Sequence, residues 1–192
     1  QAGDGEVRRL TLRNDRTVDC ELDVTSYAEL VLGSAAADAA HPAFSKLFVE
    51  TDWWPSPGVL VARRRLRSPD DPPAWAAHGV AVSPPGASDG GVEYETDRAR
   101  FIGRGRTLRD ARALAEPLSK TTGVVLDPIF GARVRLRLAP GASANVAFWT
   151  VAAASRDDLV AACGAMANAA DCDHVVAEAG NHQAAVCARV GI

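Results

Sequence analysis

The residues of this chain best placed to do chemistry are arginines. Arg98, Arg100, Arg104, Arg106 and Arg109 all fall within the stretch Glu93–Asp110, and Arg112 follows. Guanidinium groups hold carboxylates and phosphates through paired N–H donors, and they reach sugar hydroxyls in the same way. Gly103 and Gly105 flank Arg104 and permit the positive φ that other residues avoid. Phe101 and Ile102 are apolar and can fasten the segment to a core. The alternative is a solvated loop whose arginines pair with Glu93, Glu95, Asp97 and Asp110.

Other constellations invite a chemical reading, each with a plain structural one beside it. Trp53, Trp54 and Trp75 could form a platform on which sugars stack, or could fill a core. Glu93 and Glu95 stand at strand spacing, which puts two carboxylates on one face about 7 Å apart. Both are expected to face solvent and the arginines rather than to catalyse. Cys163, Cys172, His174, His182 and Cys187 offer zinc-type donors without the close C-x2-C pairing that structural zinc requires. Cys20 reads as a small core residue. Gly103-Arg-Gly-Arg lacks the third glycine and the following unit of a dinucleotide fingerprint. The chain has no G-x-S-x-G and no H-E-x-x-H. No metal, no cofactor and no catalytic residue is therefore expected.

A chain of 192 residues suits one large domain, or a domain with an appendage, and can bury a good core. Its net charge is -3, so no global field draws it to nucleic acid or an anionic membrane. Lys46 and Lys120 are its only lysines, an arginine bias too general to mark a site. No run of 18 apolar residues spans a membrane. Gln1–Gly5 is no signal peptide, and the missing initiator Met suggests a fragment or a processed chain. Four scattered cysteines suggest a reducing, cytoplasmic setting.

The elements that must carry these residues are mostly strands. Val18, Cys20, Leu22, Val24, Ser26, Ala28, Leu30 and Leu32 alternate with Asp19, Glu21, Asp23, Thr25, Tyr27 and Glu29. That alternation predicts one long strand in a wide antiparallel sheet, with Leu22, Val24 and Leu30 buried. Leu22→Asp is then expected to unfold the domain. Further strands are predicted at Val7–Arg13, Leu47–Thr51, Val59–Ala62, Trp75–Val82, Glu93 onward, from Asp127, and at Ala144–Val151. Trp53–Gly58 and Ser83–Gly91 read as turn and loop. Val134, Leu136 and Leu138 alternate with Arg133, Arg135 and Arg137, which places the three arginines on an exposed face. Roughly eight strands with regular turns predict a large antiparallel β-sandwich over 1–154. At Ser155 the pattern changes to an N-cap with acidic residues behind it and apolar residues at helical spacing. Residues 155–192 are expected to be a helical linker, with a second helix from about Asp173 to Arg189.

Four blocks carry a resemblance: HPAFSKLFVET (41–51), RSPDDPPAWAAH (67–78), YETDRARFIGRGR (94–106) and LSKTTGVVLDPIF (118–130). They resemble the β-sandwich of cyclic β-1,2-glucan synthases and of the cellobiose and chitobiose phosphorylases, glycoside hydrolase family 94. The similarity runs over about residues 6–154. It implies a supersandwich-like fold that begins inside the sandwich and stops before a catalytic (α/α)6 barrel. On its own the chain is then no enzyme. The resemblance also implies roles in supporting the barrel, in dimerisation and in the sugar cleft, on the cytoplasmic side of a bacterial inner membrane. The substrate-binding candidates are Arg98, Arg100, Arg104 and Arg106, with Phe101 as anchor, and Trp53 and Trp54. The partners implied are a β-glucan or oligosaccharide, the barrel, and a second copy as homodimer. The alternatives are an independent carbohydrate-binding module and a purely structural or interaction domain.

Overall fold

Alternation on the strands decides the layering. A computed structural model describes residues 5–190. Residues 1–4 and 191–192, which end the two expected segments, lie outside the described residues. Among the described residues, nine strands form two antiparallel sheets. The larger sheet has the order β1-β9-β5-β4-β3-β7, with β1 Gly5–Arg13, β3 Val49–Trp54, β4 Val59–Arg64, β5 Trp75–Ser83, β7 Gly123–Val124 and β9 Ser143–Ala153. The smaller has the order β2-β8-β6, with β2 Cys20–Glu29, β6 Ser88–Asp97 and β8 Pro128–Leu138. Between the sheets, Leu60, Phe130, Leu136 and Val146 are fully buried. Each such side chain contributes roughly 1.5 to 3 kcal/mol by leaving water.

Both outer faces carry a further layer. Helices α4 (Arg156–Gly164) and α5 (Ala169–Val190) lie on the larger sheet, where Leu159, Cys163, Met166 and Cys172 join Val59, Val61, Trp149 and Val151 in one cluster. Ser155 caps α4 by accepting from the Asp158 amide at 3.1 Å. On the smaller sheet, Phe101, Ile102, Ala111, Ala113 and Leu118 pack against Ile129 and Tyr27. This small satellite core seats the arginine segment.

The alternating stretch is a shorter strand than its pattern predicts. It pairs with β8 from Cys20↔Leu138 to Glu29↔Ile129 and stops where that partner runs out. It is an edge strand of the smaller sheet, not part of a wide one. Leu30 is buried, Leu22 and Val24 are half-buried, Cys20 is only half-buried and Val18 is 62% exposed. An aspartate at 22 would keep some water, so Leu22→Asp is expected to cost about 1 to 3 kcal/mol and to leave a cooperative urea transition. Leu136→Asp, at 0% exposure, is expected to abolish that transition.

Other differences have local causes. Trp53 and Trp54 are paired strand residues opposite Leu60 and Val59, so the turn begins only at Pro55. Strand β6 begins at Ser88, because a register shift before Val92 absorbs Asp89, Gly90 and Gly91. Ser34 caps a short helix α1, Ala35–Ala40, and α2, Pro42–Lys46, follows. Asp97 caps α3, Arg98–Ile102, where a loop is expected from the glycines. Helix α5 begins at Ala169, four residues early, with the Asn168 side chain accepting from the Asp171 amide.

Candidate functional site

The arginine segment is built outward from its apolar residues. Phe101 is 3% exposed and lies against Gly131, where an added Cβ would stand 2.8 Å from its ring. Gly131 therefore makes the seat in which Phe101 anchors α3. Gly103 and Gly105 adopt φ of 89° and 73°, the left-handed region that turns the chain sharply after the helix. Leu108–Asp110 and Arg112–Leu114 are single 3-10 turns, the first closed by a capping box between Thr107 and Asp110.

The arginines divide into pinned and free. Arg98 donates from Nε to the Tyr27 hydroxyl at 3.0 Å and to Glu29 at 3.2 Å, and lies 3.6 Å from Asp127. The Tyr27 hydroxyl in turn donates to Glu29, and burial with that bond pushes its phenol up to about 12. Arg106 donates to the Asp110 carbonyl at 3.3 Å. Arg100 lies 3.7 Å from Asp97, and Arg112 pairs with Glu116 at 2.6 Å. Arg104 is exposed, at the tip between the two glycines, and has no hydrogen bond or ion pair among the described residues.

Under the segment, the two glutamates expected to face solvent do structural work. Glu95 is 1% exposed and accepts from the Thr96 and Asp97 amides at 3.0 and 2.9 Å and from the Ser119 hydroxyl. Glu93 accepts from the Leu118 amide at 3.1 Å and from Arg133 at 3.2 Å. They share a face as their spacing predicts, but it is the face the segment covers. Arg133, expected on an open face, is 5% exposed, whereas Arg135 and Arg137 are exposed and pair with Asp23 and Asp19. The segment spans β8 at Arg133 and ends before Arg135, a difference the alternation does not carry.

The three tryptophans do not form one platform. Trp53 points between the sheets and stacks on Tyr94 at 4.4 Å. Trp54 and Trp75 lie on the opposite, outer face and line one recess of about 550 Å³ with Glu50, Asp52, Arg63 and Arg156. Trp53 and Trp54, both expected as substrate-binding candidates, are thus placed on opposite faces by strand alternation. Cys163 and Cys172 are buried, with burial pushing the Cys172 thiol up to about 11. No group of three or more metal-binding side chains occurs among the described residues.

The glycosyl hydrolase 94 supersandwich domain matches residues 1–169, most of the chain and every strand described above. The chain belongs to that family. The supersandwich is also 43% identical over 156 residues to the cyclic beta-(1,2)-glucan synthase NdvB of Rhizobium meliloti (strain 1021). That stretch is 80% of this chain and 5% of the relative, so the chain spans a small part of a far longer protein. No helix among its described residues is long and apolar enough to cross a membrane.

Sequence reasoning missed the recess on the outer face of this supersandwich. Glu50, Asp52 and Trp54 alternate with Val49, Thr51 and Trp53 on β3, a period-2 signal hidden by ending that strand at Thr51. Arg156 arrives from α4, 92 residues after Arg64 closes β4, and no local pattern announces it.

Proposed function

We propose that this supersandwich is the non-catalytic domain of a glycan phosphorylase or cyclic β-1,2-glucan synthase. In this reading it packs beside a catalytic (α/α)6 barrel, contributes to a homodimer, and lends its arginine tip to the sugar cleft. In the same reading the segment that begins at Ser155, packed on the larger sheet as α4 and α5, is the link between the sandwich and that barrel. The ligand is a β-glucan or oligosaccharide, and the parent protein works on the cytoplasmic side of an inner membrane.

The observation that carries the reading is the contrast between Arg104 and its neighbours. Arg98 and Arg106 are tied down, Phe101 and Ile102 are buried, and Arg104 stands exposed between two positive-φ glycines without a partner among the described residues; Arg109 is also exposed and unpaired there, but it sits within the 3-10 turn Leu108–Asp110 and not at the glycine tip. A cation held out on a fixed base is pre-organised for an external acceptor, which lowers the ordering cost of binding. The test is Arg104→Ala in the parent enzyme beside Arg135→Ala, whose side chain is 57% exposed on a sheet face. Loss of a charge-assisted bond of about 1.5 to 3 kcal/mol is expected to lower kcat/KM roughly ten- to a hundredfold, with melting unchanged. Arg135→Ala is expected to leave both unchanged. Equal kinetics for the two variants would make the tip structural.

A further inference from the structure

The recess on the larger sheet lies on the other side of the sandwich from the arginine tip. Helices α4 and α5 pack chiefly over β9, β5 and β1. The outer face beyond them, over β3 and β4, is a trough of about 550 Å³, within the size range of small-ligand sites. Its chemistry is mixed in a particular way. Trp54 and Trp75 supply aromatic surface, Glu50 and Asp52 supply acceptors, and Arg63 and Arg156 supply donors.

We propose that this trough binds a short, neutral, β-linked gluco-oligosaccharide. The charges select the ligand class. Two lining carboxylates stand against two lining guanidiniums, and Glu50 is already held by Arg63 at 2.7 Å and, from beside the trough, by Arg65 at 3.2 Å. A phosphorylated or acidic ligand meets Glu50 and Asp52, and a purely apolar one strands four charged groups away from water. A neutral polyol satisfies donors and acceptors together. A β-gluco ring also carries equatorial hydroxyls and an apolar C–H face, the complement of an indole with polar groups beside it.

The register sets the length. Trp54 lies opposite Val59 and Trp75 opposite Arg63, so the two flank β4 four residues apart along it. Two strand spacings and four residue rises put their Cα atoms roughly 16 Å apart. One pyranose cannot touch both indoles, and a short chain can. A guanidinium lies over each indole, Arg156 at 5.0 Å from Trp54 and Arg63 at 5.8 Å from Trp75, so a sugar that stacks on either ring shares that face with the guanidinium or displaces it. The inference is independent of Arg104.

The experiment titrates the full chain with β-1,2-linked glucotriose, cellotriose and laminaritriose. It follows indole N–H resonances and heat, with glucose 6-phosphate as the charged comparison. The Trp54 and Trp75 resonances are expected to move saturably while that of Trp149, 3% exposed and under α4 and α5, stays still. At least one trisaccharide is expected to bind with Kd at or below about 1 mM. Trp54→Ala and Trp75→Ala, confirmed folded by melting, are each expected to weaken it about tenfold or more. Asp52→Asn, a substitution at an exposed side chain, supplies a variant that keeps the sheet intact and is expected to weaken binding about threefold. Arg104→Ala is expected to change nothing here. No saturable shift with any trisaccharide up to about 10 mM overturns the proposal. So does tighter binding of glucose 6-phosphate, or binding indifferent to both tryptophans. None of these outcomes touches the kinetic test of Arg104.

Discussion

Arg133→Ala is expected to lower stability by about 3 kcal/mol, whereas Arg135→Ala and Arg137→Ala each cost under about 0.5 kcal/mol. The three arginines repeat along one strand and have the same side chain, so the difference lies wholly in what covers them. Arg133 donates to the Thr25 hydroxyl at 3.2 Å, to Glu93 at 3.2 Å and to the Glu116 carbonyl at 3.1 Å. It thereby ties β2, β6 and the end of the arginine segment to β8. Its loss leaves Glu93 without its cation and the Glu116 carbonyl without its donor. The Glu93 side chain is 33% exposed and retains the Leu118 amide, which keeps the expected cost at the low end for a buried pair. For a chain of this length the melting temperature should fall by roughly 6 to 12 °C. Arg133→Lys is expected to recover only part of this, because a single ammonium nitrogen cannot reproduce the spread of Nε and Nη1, which reach the Thr25 hydroxyl on one side and Glu93 and the Glu116 carbonyl on the other. Urea denaturation of the three alanine variants decides the matter. Three equal losses would show that the segment does not rest on Arg133.

The second large effect is acid-dependent and centres on His78. This imidazole sits between the sheets, 5% exposed, stacked between Phe130 at 5.6 Å and Phe148 at 6.0 Å. Its Nε2 bonds the Ser26 hydroxyl at 2.8 Å and its Nδ1 the Thr150 hydroxyl at 2.9 Å. Burial pushes the imidazole down to about 4, helped by Arg8 and opposed by the Trp149 backbone and Glu6. An unfolded histidine titrates near 6.5, so below that pH the unfolded chain takes up a proton that the folded chain refuses. Stability is therefore full above about pH 6.5 and declines as pH falls toward 4. The total loss from this one group is roughly 3 kcal/mol. His78→Gln stays neutral and lacks this slope. It should be less stable than the parent at pH 7 and lose that deficit progressively by pH 4.5. A direct titration of the His78 ring resonances avoids the substitution altogether. A midpoint near 6.5 would show that the ring meets water and would remove the predicted slope.

Much of the fold is written in local pattern. Period-2 alternation locates β1, β4, β5, β8 and β9 to within a few residues, because a strand with one buried face needs apolar residues at alternate positions. Ser155 with acidic residues behind it marks the start of α4, since a helix leaves its first amides unpaired and a hydroxyl accepts from one of them. Gly103 and Gly105 announce the turn at the arginine tip, and both adopt positive φ. The four family-like blocks identify the supersandwich.

What sequence could not decide depends on which other segment arrives at a given face. Alternation separates two sides of a strand but does not say which side, or how much of it, is covered. Arg133 and Arg135 are indistinguishable along the chain, and only the segment ending near Leu118 buries one and leaves the other wet. Glu95 reads as a surface acid, yet two neighbouring amides and Ser119 close around it once that segment folds over. Val18 and Leu32 continue the apolar parity of β2, but β8 ends before reaching them, and an unpaired backbone does not remain strand. Trp53 and Trp54 are neighbours in sequence and face opposite ways. Trp54 meets Arg156, and shares a trough with Trp75, only because β3, β5 and α4 converge on one sheet face. Local pattern determined the strands, the caps and the turns. Long-range packing decided which charges are buried, which are free, and where the aromatic trough opens.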